Sequence, residues 1–190
     1  MFVTITRCYH SIVRWGQSHG FGVQSPSAYR FVKDVARQSW PYYGYAALYD
    51  MYPEKDVHFL ALHRFLLRFS NFMQGKLWAI NGADEVDLAY IKAGASKAFV
   101  SDISLRRVGK HSFFDIKEIG SEHSGGGEAT IRQCSAVVVK DIHLNDESKW
   151  LWAALLKTHE GYLTFDLYDC GVVFLDTSLQ GGNYNVMLKA

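Results

Sequence analysis

The chain predicts an α/β domain: a mostly parallel sheet with helices on both faces and an antiparallel C-terminal edge, preceded by N-terminal helices. Three observations predict it. Leu77-Trp-Ala-Ile80, the turn Asn81-Gly82, a helical stretch over about 84–93 and Lys97-Ala-Phe-Val-Ser-Asp102 form a strand–turn–helix–strand unit, whose natural form is a parallel crossover. Ala136-Val-Val-Val139 is a continuous apolar run of the kind that fills a buried parallel strand, and helical spacing follows it over 146–158. From Leu163 onward apolar and polar residues alternate, with turn residues at 169–171 and 181–183, which predicts hairpins.

Composition bounds the reading. A chain of 190 residues with 48% apolar and 21% charged side chains suits one folded core rather than a disordered segment. We therefore expect a single domain, 1–190, with a helical extension over 1–55 and the α/β core over 56–190. Aromatic residues at 15% predict a core built from large rings. The net charge of +1 supplies no field for nucleic acid, and Arg106, Arg107 and Lys110 are too small a cluster to replace one. Cys8, Cys134 and Cys170 form no C-x-x-C pair, so neither a zinc ribbon nor a redox motif is expected. Three free thiols fit a reducing, cytoplasmic setting. Arg7, His10 and Arg14 interrupt the N-terminal apolar residues, which argues against a signal peptide. No apolar run reaches the roughly 18 residues of a membrane span.

The elements follow in order. Ser25 is placed to cap a helix whose first position is Pro26 and whose inward residues are Ala28, Phe31, Val32 and Val35. Tyr42-Tyr43-Gly44-Tyr45 reads as an aromatic connector. A helix over about 56–73 carries Leu62, Phe65, Leu66, Phe69 and Met73 inward, with Arg64, Arg68 and Asn71 on its outer face. The helix from about 84 begins with Asp84, Glu85 and Asp87, charges that suit a positive helix start, and Gly94 suits its end. Between 103 and 133 the pattern is weak. Phe113–Ile119 is a short strand candidate, and Ser121–Glu128, with Gly125-Gly126-Gly127, reads as a loop. The helix over 146–158 points Trp150, Leu151, Ala154 and Leu155 inward.

Several of these segments resemble a bacterial group of class I S-adenosylmethionine (SAM)-dependent methyltransferase-like proteins. They are His19-Gly-Phe-Gly-Val-Gln-Ser-Pro26 with Tyr29-Arg-Phe-Val32, then Phe65–Phe72 running into the strand at 77–80. Val138-Val-Lys-Asp-Ile-His143, Trp150 and Phe165–Phe174 complete the set. Together they reach discontinuously from about 18 to 188. The resemblance implies a Rossmann-like fold with its ligand beyond the carboxyl ends of the strands. It also implies a glycine-rich loop after the first strand and an acid at the end of the second that meets the ribose.

On that resemblance the cofactor-binding positions are Asn81, Gly82 and Asp102. The loop is depleted: Ala79 stands at the acidic position of the first strand and Asn81 at the first glycine, and Ala83, Asp84 and Glu85 follow Gly82. Asp102 lies 20 residues beyond Gly82, a spacing that suits a ribose or, equally, an acid capping a turn. Only 33 residues separate Asp102 from Ala136, so at least one strand–helix unit of the family is reduced. Lys140 stands where the family has an acid. Asp141 and His143 are the candidate catalytic pair, His143 as general base and Asp141 orienting it or holding a metal. The alternative is that Asp141 and Asn145 cap the next helix. No metal ligand set is identifiable, and His58 and His63 read as ordinary helix residues.

Two functions follow as expectations. One is a SAM-dependent methyltransferase acting on a small molecule. The other is a catalytically inactive relative that binds a ligand, a protein partner or a second copy of itself, with the aromatic-rich segments 40–52 and 150–168 as contact surface.

Overall fold

The computed structural model describes residues 2–108, 111–117 and 134–189. Its strands are β1 (Leu77–Asn81), β2 (Phe99–Val108), β3 (His111–Lys117), β4 (Ala136–Lys140), β5 (Leu163–Asp166), β6 (Cys170–Phe174) and β7 (Gly182–Asn185). They form one mixed sheet in the order β3-β2-β1-β4-β6-β5-β7. The helices are α1 (Phe2–Val13), α2 (Trp15–Ser18), α3 (Pro26–Phe31), which runs on as a π-helical turn (Val32–Ala36), α4 (Gly44–Met51), α5 (Val57–Phe72), α6 (Glu85–Gly94) and α7 (Asp146–Thr158). The α/β class is as expected, and Gly125–Gly127 lies outside the described residues.

The strand directions correct the expectation of a mostly parallel sheet. β1 runs parallel to β2 and β4, and β5 to β7, whereas β2–β3, β4–β6 and β5–β6 are antiparallel. One edge is the β2–β3 hairpin. The C-terminal edge strand β7 is parallel to its neighbour, and antiparallel β6 lies inside. Burial explains the placement. Every residue of Cys170–Phe174 is buried, so this strand needs neighbours and covered faces on both sides. The half-exposed Gly182–Asn185 tolerates an edge.

Alternation along the central strands divides the core into two layers. Trp78, Ile80, Val138, Phe165 and Val172 face α3, its π-helical turn and α5. Ala79, Val137, Val139 and Val173 face the opposite way, against Trp152 and Leu155 of α7. Phe31 centres the first layer, its ring 4.3 Å from that of Phe165 and edge-on to Phe174 at 5.3 Å. On the second layer the buried tryptophan is Trp152 rather than Trp150. A side chain on Gly171 of β6 would collide with the Trp152 ring, so the bare backbone there is what admits it.

Local signals set the helix starts. Ser25 Oγ accepts the Ala28 N–H, Asp56 accepts the His58 N–H and Asn145 accepts the Ser148 N–H. Other expectations are corrected. The aromatic connector is largely helix α4. Residues 2–18 are mostly helix, within the helical extension expected over 1–55. The outer face of α5 is only partly solvated: Arg64 and Asn71 are half-buried, and Arg68 is only 2% exposed, its guanidinium donating to the carbonyls of Val35 at 2.7 Å and Lys189 at 3.3 Å. Leu67, on the same helix, packs with Leu48 of α4 and Tyr90 of α6 in a third cluster. Buried on nearly every side, α5 acts as a core element whose cations must find internal acceptors.

α6 ends at Gly94 as expected, and this glycine has a second role. A Cβ there would lie 2.1 Å from the Leu67 carbonyl oxygen, so glycine sets how closely α6 approaches α5. In an ordinary helix, glycine to alanine stabilises by up to about 1 kcal/mol. Gly94→Ala is expected to do the reverse and cost about 1–3 kcal/mol in urea unfolding, because the two helices must separate.

Candidate functional site

The carboxyl ends of β1, β4 and β5 bring together Asn81–Asp84, Lys140–His143 and Asp166–Asp169. The loop after β1 is closed from within. Asn81 Oδ1 accepts the Lys140 backbone N–H at 2.5 Å, tying the end of β1 to the end of β4. The Lys140 ammonium then crosses the loop, donating to the Gly82 carbonyl at 3.0 Å and to the carboxylate of Asp87. Gly82 has φ +55°, in the left-handed region that favours glycine. Ala79 is fully buried and faces the α7 layer.

The start of α6 is capped by its own acids. Asp84 accepts the Asp87 N–H at 2.8 Å and Asp87 accepts the Asp84 N–H at 3.2 Å, a reciprocal capping box. Two amides that would meet an anion at a helix start are thus bound to acidic side chains, which also oppose negative charge there. Asp87 is buried, and Lys140 supplies its counter-charge.

Asp102 is placed differently from the expectation. It does not end its strand: β2 continues to Val108, and Asp102 pairs in register with Ile80 on one side and Lys117 on the other. β2 continues because it pairs antiparallel with β3 from Asp102 to Val108, in a stretch whose sequence pattern is weak.

The proposed Asp141–His143 pairing is also corrected. His143 Nε2 lies 2.8 Å from Asp166 Oδ2, at the end of β5. Asp141 has φ +58°, and its N–H donates to the Asp169 carbonyl at 2.8 Å. Burial raises its carboxyl above the usual range, with Lys140 opposing. The cap of α7 is Asn145 alone. The physical reason is the left-handed backbone at Asp141, which turns the chain between β4 and α7.

Asp166 is the hub of this edge. Its Oδ1 accepts Arg14 Nη1 at 2.5 Å and the Tyr168 N–H at 2.9 Å, while Arg14 also reaches the Asp166 backbone carbonyl at 3.0 Å. Burial would raise the Asp166 carboxyl, but the hydrogen bonds of His143 and Arg14 outweigh it and hold it at about 2. Arg7 forms a two-pronged ion pair with Asp169, and its guanidinium lies 4.9 Å from the centre of the Tyr168 ring. His10 stacks near His143 and Tyr168, at 6.2 and 5.1 Å. Burial and the charges of Arg14 and His143 lower the His10 pKa.

Helix α1 therefore lies across the carboxyl edge. Arg7, His10 and Arg14, at helical spacing, turn their polar face toward the sheet, and Tyr9, Ile12 and Val13 face solvent. This inversion hid the helix from a reading based on apolar periodicity. The same residues were visible only as interruptions of an apolar run. The Asp166 contact at Nε2 fixes the orientation of the His143 imidazole. Arg14 lies 3.4 Å from its Nε2, and the His10 ring stands 6.2 Å from its ring.

Elsewhere, a cavity of about 520 Å³ opens at the opposite edge of the sheet, near Ser135, Leu163 and Phe174. Arg68 in its wall is spent on backbone carbonyls, and Arg30 faces Asp34 at 3.7 Å. Of the two aromatic-rich segments, 40–52 is the exposed one: Trp40 is 74% exposed and Tyr43 fully so. In 150–168, Trp152, Leu155, Leu163, Phe165 and Leu167 are core residues, whereas Trp150, Tyr162 and Tyr168 are half-buried. Among the described residues no helix is long and apolar enough to cross a membrane.

The Asp166 hub carries a pH signature. Its carboxyl titrates near 2 in the fold against an ordinary 3.8, so its stabilisation is present above pH 4 and is lost as pH falls through 2. The difference corresponds to about 2 kcal/mol. Asp166→Asn is expected to cost about that much in urea unfolding at pH 7, and the gap to the parent chain should shrink between about pH 4 and pH 2.

No family model matches the chain, and neither a curated protein nor a solved structure matches it significantly.

Proposed function

We propose that this chain is a methyltransferase-like domain whose donor site is filled by its own side chains, and that it acts as a binding module rather than as a methyltransferase. The observation that carries this reading is the Lys140 ammonium held between the Gly82 carbonyl and Asp87. Methyl transfer depends on holding donor and acceptor in line, and it tolerates the loss of an acid or base better than the loss of donor space. Here an internal cation lies across the loop, and the start of α6 is already capped by carboxylates. The exposed aromatic residues of 40–52, with Tyr9, Ile12, Val13 and Trp15 around α1 and α2, offer apolar surface for a protein partner.

The oriented imidazole of His143 favours a second reading, an enzyme using SAM on a small molecule with His143 as general base. That reading requires α1 to leave the carboxyl edge and Lys140 to leave the loop.

Calorimetric titration with SAM and S-adenosylhomocysteine separates the two. The binding-module reading expects no heat up to millimolar ligand from a folded chain. Micromolar binding that disappears in Asp102→Ala would overturn it in favour of a donor site at Gly82 and Asp102.

A further inference from the structure

His63 on α5 and Asp84 and Asp87 at the start of α6 each offer a ligand atom, and these atoms lie within 4.8 Å of one another. We propose that these three side chains form a binding site for a divalent transition-metal ion of the zinc class. The inference does not depend on whether the chain binds SAM.

The capping box leaves the right atoms over. Asp84 spends Oδ1 on the Asp87 N–H, and Asp87 spends Oδ2 on the Asp84 N–H and on Lys140. Asp87 Oδ1 remains, buried and without a hydrogen-bond partner. A carboxylate oxygen in that state is costly unless something positive meets it. His63 is itself buried, and its Nε2 stands 3.5 Å from that oxygen without hydrogen-bonding to it. Two ligand atoms on one tetrahedral zinc, each at about 2.0–2.2 Å, lie roughly 3.4 Å apart, so this pair is already spaced for an ion between them. Asp84 is exposed and can swing its second oxygen inward while keeping its cap.

The donor set selects the ion. One imidazole nitrogen with two carboxylate oxygens suits zinc and its neighbours, whereas calcium and magnesium demand more oxygens. The Tyr90 ring, stacked 5.2 Å from His63 at 24°, supports the imidazole plane. Lys140 does not forbid the ion, because ammonium and metal use different oxygens of Asp87. The two carboxylates and the ammonium leave one net negative charge to offset the incoming cation. Three protein ligands leave a coordination position for water.

Co²⁺ is the spectroscopic probe and Zn²⁺ the competitor. Added to the purified full chain, Co²⁺ should bind one equivalent with the visible absorption of a low-coordinate site, and Zn²⁺ should displace it. Asp84→Asn keeps an N-cap, since asparagine caps as well as aspartate, and is expected to retain the fold by circular dichroism. It should weaken Co²⁺ binding at least about tenfold, and His63→Gln by about 100-fold or more. Absence of Co²⁺ and Zn²⁺ binding to the parent chain at millimolar ion would overturn the proposal. So would binding that keeps its affinity in Asp84→Asn and His63→Gln.

Discussion

The buried pair between Lys140 and Asp87 is the constraint on which the carboxyl edge depends. It joins the end of β4 to the first turn of α6 and crosses the loop that leaves β1. Removing one partner of such a pair strands a charge in the interior, at about 3–5 kcal/mol, so the two residues hold each other in place. The backbone bond from Lys140 to Asn81 fixes the same junction from the strand side. With α6 anchored there, Gly94 at its far end brings it against the Leu67 carbonyl of α5, and α5 in turn covers the larger core layer. Charge pairing at one edge and close helix contact at the other place the same helix.

A second closure is made by α1. Most surface helices bury an apolar stripe, but this one turns Arg7, His10 and Arg14 toward the acids at the end of β5 and the turn that follows it. The choice follows from what the sheet presents there. Asp166 and Asp169 are partly buried carboxylates, and an uncompensated charge in that position costs more than leaving Ile12 and Val13 in water. The outcome is an imidazole of defined orientation, His143, under a cover of cations, with apolar side chains displayed outward. The acids that the sheet gathers at this edge are satisfied from within.

The legible part of the fold was whatever depends on neighbours a few residues away. Ser25 before Pro26 and Asn145 before Asp146 mark helix starts because a cap bonds within its own turn. α7 falls on the expected residues for that reason. Asn81, Gly82, Asp141 and His143 do gather at one edge, because they follow strands that run side by side. His63 was not legible as a ligand, since its partners lie on another helix.

The sequence by itself determined the α/β class, the starts of α3, α5, α6 and α7, the parallel β1–β2 crossover and the crowding of acids at the start of α6. These follow from periodicity and capping, which act over a single turn or strand. Only the tertiary structure decided the strand order, the insertion of β6 between β4 and β5, the partner of His143 and the docking of α1. Arg14 and Asp166 are 152 residues apart and Lys140 and Asp87 are 53 apart, and no local rule links them. Their pairing is set by which charges the packed sheet buries and which cations can reach them.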